Sequence, residues 1–177
     1  MDICTAGSLD KNFILDLYQR AFPENVRKPF SLIERKSAMG EMEILLIREE
    51  RRPIGFAIVA FSEKLVLLDY FAISERWRGQ GYGAAALELI RELYSSYPLF
   101  LEIEKPEQKD LPDTLRQRRK SFYLRNGMLE TGIEVELYGV CMELLSSKAN
   151  LTFEECEPLY RSLLGPNYRN VIRLRTV

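Results

Sequence analysis

Three glycines in five residues, Gly79, Gly81 and Gly83, follow Arg78 and stand directly before the apolar series Leu87, Ile90 and Leu93, which repeats at helical spacing. Residues 65–73 before them form an apolar, β-branched and aromatic run that reads as a strand. Strand, glycine loop and helix in that order build a seat for phosphate. The first N–H groups of a helix have no partner within it, its dipole puts partial positive charge there, and glycines let an anion approach with no Cβ in the way.

The other residues with chemical capacity are few. There is no histidine, which excludes Ser-His or Cys-His catalysis and any His-ligated metal, and leaves carboxylates, tyrosine, lysine and water to move protons. The three cysteines, Cys4, Cys141 and Cys156, are far apart and contain no C-x-x-C pair. They form neither a disulfide framework nor a zinc knuckle, so we expect no metal, a reducing compartment and mostly buried structural thiols. Two carboxylates interrupt apolar strands: Asp69, which alternates with Leu67 and Phe71, and Glu102, which alternates with Phe100 and Glu104. A buried carboxylate without partner or role costs several kcal/mol, so each is either paired, for instance with an arginine, or functional.

Two familiar phosphate loops can be compared with residues 78–84. A nucleoside-triphosphate loop needs G-x-x-x-x-G-K-[ST], and no Gly-Lys-Ser or Gly-Lys-Thr occurs in the chain. A dinucleotide fingerprint, G-x-G-x-x-A, does fit Gly81, Gly83 and Ala86, with Glu102 lying 21 residues beyond Gly81 as a ribose-binding acid. Its setting does not fit, because residues 74–78 separate strand from glycines and no series of βαβ units follows. It stands as an alternative.

The run Arg78-x-x-Gly81-x-Gly83 resembles the Q/R-x-x-G-x-G/A signature of the GNAT superfamily of acetyl-CoA-dependent N-acetyltransferases, and it lies between a fourth strand and a third helix as in that family. Residues 69–73 (DYFAI) resemble the family's cofactor-facing strand, residues 99–104 its next strand, and residues 121–128 (SFYLRNGM) the end of its following helix. In order of elements the similarity covers roughly residues 1–146 and is strongest over 65–128. It implies that the backbone of Arg78, Gly79, Gln80, Gly81, Tyr82, Gly83 and Ala84 holds the pyrophosphate of acetyl-CoA. It also implies that Phe71, Ala72 and Ile73 pair with the pantetheine arm like an added strand, and that Tyr123 protonates the departing thiolate. The acceptor is then a primary amine on a small molecule or peptide, attacked without a covalent enzyme intermediate. With a pKa near 10.4 that amine is almost wholly charged at neutral pH, so a carboxylate must take its proton, and Glu102, then Asp69, are the candidates. Where the family usually carries Asn and Ala upstream of the tyrosine, this chain has Arg116 and Arg119. The competing class is a non-catalytic acyl-CoA-binding or dinucleotide-binding module.

The elements that must position these residues are legible in outline. At 177 residues the chain suits one domain that buries about 70 per cent of its unfolded surface. Lys plus Arg number 25 against 26 Asp plus Glu, a net charge of −1, so no global field invites nucleic acid or an anionic membrane. The basic run 116–120 spreads around more than half a helix and reads as a solvated face. No apolar run approaches membrane-spanning length and no signal region opens the chain; we expect a cytoplasmic monomer or homodimer. Ser8 is a candidate cap for a first helix ended by Pro23, and Ser31 with Glu34 for a second. In the resembled fold this pair flanks the acceptor site, making Arg20, Phe22, Phe30 and Glu34 candidates to touch substrate. Residues 42–48 and 54–61 read as strands of an antiparallel meander leading to 65–73, and 99–103 as a strand parallel to the last. Residues 105–111 read as a mobile loop. Thr114 with Gln117 opens a helix to Asn126, Thr131-Gly132 breaks the chain, and 135–145 is one or two strands. Thr152 with Glu155 opens a last helix. The expected fold is a single α/β domain, a mixed, mostly antiparallel sheet with a central parallel pair and helices on both faces, organised as an acetyltransferase-like core, 1–146, and a C-terminal helical extension, 147–177.

Overall fold

The computed structural model describes residues 1–106 and 114–175; the loop expected at 105–111 lies largely outside the described residues. Two compact units are present. The first comprises residues 1–61 and 68–95, the second residues 62–67 and 96–177.

In the first unit, β1 (Asp2–Thr5), β2 (Met42–Glu49), β3 (Arg52–Phe61) and most of β4 (Val66–Ile73) are consecutive neighbours. β1 and β3 both pair antiparallel with β2. The hairpin between β2 and β3 turns through Glu50 and Arg51, both at positive φ, and a register shift at Ile47/Arg48 accommodates Pro53, which cannot donate to a ladder. β3 is buried continuously from Ile54 to Ala60, as a strand covered on both faces must be. At its start Gly55 is obligatory: a Cβ there would lie 2.5 Å from the Ala72 carbonyl oxygen and 2.7 Å from Ile73 Cδ1. Gly55→Ala must therefore push β4 away, and we expect it to cost about 1–3 kcal/mol, read as a lower denaturant midpoint at unchanged slope. A midpoint within experimental error of the native value would show that β4 yields freely at this contact.

Helices α1 (Lys11–Ala21), α2 (Phe30–Ala38) and α3 (Tyr82–Leu93) complete this unit. Their starts differ from the expected caps. Ser8 opens a short 3-10 turn, and Asp10, at the N-cap position of α1, turns its carboxylate back to Gly7 N–H, while Ser31 lies inside α2, which begins at Phe30 behind Pro29. Proline just before a helix presets the chain direction, so the box expected from Ser31 and Glu34 is not formed and Glu34 pairs with Lys11 instead, at 2.5 Å. On α3 the buried face is Ala86, Leu87 and Ile90; Leu93, expected inside, is 55% exposed in the last turn.

In the second unit, Val66 and Leu67 at the start of β4 pair parallel with Leu99 and Phe100 of β5 (Leu99–Glu104), and the order continues β5-β7-β6-β8. β6 (Leu129–Leu137) and β7 (Val140–Ser146) form a hairpin across Tyr138 and Gly139, both at positive φ as a two-residue turn requires. Thr131-Gly132 does not end the segment as expected. It makes a register shift between Glu130 and Glu134, and β6 runs through it. Helix α4 (Leu115–Arg125) is capped by Thr114, whose side chain accepts from Gln117 N–H, and α5 (Phe153–Leu164) opens on the Thr152/Glu155 capping box. After Gly165 the chain is not simply helical: β8 (Ile172–Leu174) pairs antiparallel with β6. Among the described residues the architecture is the expected mixed, mostly antiparallel sheet with one parallel pair, β4–β5, and five α-helices. No helix among the described residues is long and apolar enough to cross a membrane.

Candidate active site

The glycine loop belongs to the first unit. β4 ends at Ile73, a 3-10 turn over Glu75–Trp77 follows, and Gly81 caps α3 in the left-handed conformation, φ 87° and ψ −14°. Gly79 also has a positive φ, 74°. A Cβ on either glycine would meet nothing within 4 Å, so both open on free space. Arg78 N–H donates to Glu75 O and Ala85 N–H to Gly81 O. Between them, among the described residues, no acceptor is found for the N–H groups of Gly79, Gln80, Gly81, Tyr82, Gly83 and Ala84. Unpaired donors at a helix head that faces open space are the anatomy of an anion site.

Several contacts hold this loop in shape. Arg78 is exposed but tied back to the strand: its Nε donates to Ile73 O at 2.8 Å, and Gln80 Nε2 donates to Arg76 O at 2.8 Å. Trp77 and Tyr82 pack edge-to-face at 5.3 Å against the cluster of Ile47, Ile54, Ile73 and Ala86. On β4, Ser74 N–H donates to Ile54 O. Because backbone groups alternate along a strand, Ala72 faces β3 as well, and Phe71 and Ile73 turn their N–H and C=O groups to the opposite edge. The Arg78–Ile73 bond lies on that edge, so loop and strand edge are built as one piece.

Asp69 is ion-paired. Lys28, from the linker between α1 and α2, places Nζ 2.7 and 2.9 Å from its two oxygens, with side chains only 9% and 3% exposed. The same linker is pinned by Tyr70, whose hydroxyl accepts from Lys28 N–H and donates to Val26 O, and by Tyr18, whose hydroxyl donates to Lys28 O. A partner was expected for a buried aspartate, but as an arginine; nothing in the sequence pattern around Lys28 distinguishes it. Of the four residues expected near acceptor, Arg20 pairs with Asp16, Glu34 with Lys11, and Phe22 and Phe30 stack around Tyr18.

Tyr123 and Glu102 belong to the second unit. Tyr123, on α4, is 9% exposed, and burial pushes its phenol up to about 12, against a smaller opposing pull from Arg119. Glu102 lies opposite Leu144 in the β5–β7 register, on the face that carries Phe100, whose ring meets Tyr160 of α5 at 6.1 Å. The α4 side is the other face. Lys120 reaches Glu143, opposite Ile103, and Glu130, opposite Leu145. Glu102 and Tyr123 therefore approach β5 from opposite faces. Beside Glu102, Cys156 is fully buried, and desolvation and the neighbouring carboxylates push its thiol up to about 12, a structural thiol. Cys4 and Cys141 are only partly buried. In the basic run, Arg116 pairs with Glu104 and Lys120 with two glutamates, so these cations are largely committed within the fold.

Burial also raises Tyr18 and Tyr94 well above the ordinary phenol value. Phenols whose folded pKa lies above the unfolded value near 10 contribute stability below about pH 10 that is lost as pH rises through the folded values. Of nine tyrosines, at least Tyr18, Tyr94 and Tyr123 should remain un-ionised near pH 11 until the chain unfolds. An ultraviolet titration in which all nine ionise together near pH 10 in folded protein would contradict this.

Comparison with known proteins follows the same lines. The model described as "Acetyltransferase (GNAT) family" matches residues 11–112. Among solved structures, a putative acetyltransferase of the GNAT family from Bacteroides thetaiotaomicron superposes with a TM-score of 0.73 at 22% identity, covering 93% of this chain and 96% of its own. An aminoglycoside 6'-N-acetyltransferase complexed with coenzyme A gives 0.65 at 16% identity, with coverage of 86% and 98%. The ribosomal-protein-S18-alanine N-acetyltransferase from Escherichia coli gives 0.60 at 20%, with coverage of 86% and 96%. Among curated proteins there is no significant match.

Proposed function

This chain belongs to the acetyltransferase (GNAT) family, and from that premise we propose that it moves an acetyl group from acetyl-CoA to a primary amine by direct attack. The observation that carries the reading is the run of uncommitted N–H groups from Gly79 to Ala84 over open space at the head of α3. These would take the CoA pyrophosphate. The outer edge of β4 at Phe71 and Ile73 would align the pantetheine by strand-like hydrogen bonds, and Arg78, fixed to Ile73 O, would keep strand edge and phosphate seat in register.

The proton bookkeeping assigns the remaining roles. Attack by the amine on the thioester carbonyl forms the C–N bond, the C–S bond breaks, and the thiolate takes a proton from Tyr123. A phenol raised to about 12 is fully protonated at neutral pH and ready to donate. The ammonium must first lose one proton, for which Glu102 is the candidate base; because Glu102 lies on the face of β5 opposite α4, that transfer would run through water, and the second N–H proton, released as the C–N bond forms, would return the Tyr123 phenolate to phenol. Asp69, neutralised by Lys28, we assign to holding the linker rather than to proton transfer. The dinucleotide alternative lacks its scaffold, since β4–β5 is the one parallel pairing among the described strands.

Parallel calorimetric titrations with acetyl-CoA, CoA and NAD test this reading. Micromolar binding of both CoA species with no NAD binding is expected. Binding of NAD alone would overturn it and turn Glu102 from base into ribose ligand.

A further inference from the structure

Helix α4 is held to its sheet differently from α5, the other α-helix of the second unit. Five of its eleven residues are Arg or Lys, none is acidic, and Tyr123 is the one residue it buries. Leu115, its first apolar residue, is 76% exposed. By contrast α5 buries four residues, Cys156, Leu159, Tyr160 and Leu163. A helix that is polar almost all round gains little from the hydrophobic effect and needs other contacts to stay in place. Those contacts are ionic. Arg116, Lys120 and Tyr123 stand at i, i+4 and i+7, which puts them on one face. Arg116 pairs with Glu104, and Lys120 with both Glu130 and Glu143.

The sheet is acidic where this helix face is basic. Glu134 on β6 is directly opposite Glu143 on β7, and Glu130 is opposite Leu145, two residues from Glu143, so the three carboxylates share one face. Like charges placed opposite each other repel unless cations stand over them; Lys105 serves Glu134 as Lys120 serves Glu143. Lys120 Nζ lies 2.7 Å from Glu143 Oε2, with side chains only 22% and 12% exposed. The other oxygen, Glu143 Oε1, is buried without a hydrogen bond among the described residues, so the compensation of that carboxylate falls to Lys120. Burial works against the Lys120 charge, yet Glu130 and Glu143 hold its ammonium above the ordinary lysine value.

We propose that Lys120 is a positioning residue: its bridge to Glu143 and Glu130 seats α4 on the sheet by charge and thereby holds Tyr123, about one turn further along the same face, in its buried pose. The proposal rests on the acetyltransferase reading for its effect on rate and on α4 alone for its effect on structure. It makes α4 sensitive to salt beside a helix that is not. The reach of a charge shrinks from about 10 Å at 0.1 M salt to about 3 Å at 1 M, while the apolar face of α5 has no charge to screen.

Hydrogen exchange of the native chain tests the seating without any variant, and so decides it even where a substitution prevents folding. Between about 0.05 and about 1 M sodium chloride, amides of α4 should exchange about fivefold faster or more, while those of α5 change by less than about twofold. Lys120→Met keeps the aliphatic stem and removes the charge. It should leave Tyr123 about half ionised at pH 10, where the native phenol, held up to about 12 by burial, is un-ionised; the reading is the phenolate absorbance that a further Tyr123→Phe removes. Lys120→Arg, which can hold both carboxylates, should restore the native reading. With putrescine, benzylamine and lysine amide as probe amines, CoA release by Lys120→Met should fall about tenfold or more in kcat with acetyl-CoA binding unchanged, as expected when a general acid is misplaced. An equal response of α4 and α5 to salt, or Tyr123 still un-ionised at pH 10 in folded Lys120→Met, would overturn the ionic seating. Tyr123 ionised at pH 10 with undiminished CoA release would leave the seating in place and overturn the acid role of Tyr123 in the reading beneath it.

Discussion

Gly81→Glu should abolish acetyl-CoA binding, weakening it at least 100-fold, while leaving the fold in place. Three effects act together. A residue other than glycine at φ 87° is strained by about 1–2 kcal/mol. The new side chain enters space that is empty within 4 Å of the Cβ position, where the pyrophosphate would lie. Its charge then repels that phosphate across a few ångströms, and the hydrogen bonds from the loop to an anion, about 1.5–3 kcal/mol each, are lost. Two of these exceed the roughly 2.7 kcal/mol that 100-fold represents. The chain's single tryptophan, Trp77, packs on Tyr82 within the loop, so its fluorescence reports the site directly. A native-like circular dichroism spectrum with no fluorescence response to acetyl-CoA is the expected result; an unchanged response would remove the loop from the binding site.

Tyr123→Phe should leave that fluorescence titration intact and lower kcat by about 10³–10⁴, toward the upper range for general acid catalysis. Phenylalanine keeps the ring and its packing on Phe122, at 5.1 Å, and removes only the hydroxyl with its proton. The large expected loss follows from the site's composition, since no histidine is present to substitute. With the phenol held up to about 12 by burial, the native rate should climb with pH as the amine loses its proton and show no falling limb before about pH 10. A kcat within a few fold of native in the variant, or a falling limb near pH 8 that Tyr123→Phe abolishes, would assign the acid role elsewhere.

The parts of this molecule that were legible in the sequence are those whose physics is local. The glycine loop could be read because positive φ favours glycine at Gly79 and Gly81, and the Thr152/Glu155 box because its hydrogen bonds close within one turn. Ser31 and Glu34 obey the same pattern, yet Pro29 starts the helix one residue earlier and takes the box out of use. Leu93 keeps helical spacing but falls in the last turn, past the edge of what α3 covers. β1 and β8 were invisible because strands of four and three residues are defined by the neighbour they pair with, not by their own composition. The Lys28–Asp69 pair joins residues 41 apart and the Lys120–Glu143 pair residues 23 apart. No spacing rule reaches that far. The glycine motif is thus legible from spacing alone, while contacts that join distant segments depend on the tertiary fold.

The central claim is that an acetyl group passes from acetyl-CoA to an amine without resting on the protein, and a single-turnover experiment with acetyl-labelled acetyl-CoA tests it most directly. Enzyme in excess is mixed with labelled acetyl-CoA and a panel of amines, quenched over time, and the label is followed in product and in intact protein. The account predicts label moving into an amine with one CoA thiol released per acetyl transferred, and at no time on the protein. Label accumulating on the chain before it appears in product would contradict direct transfer, and bound acetyl-CoA that never reacts with any amine would leave a binding protein in place of an enzyme.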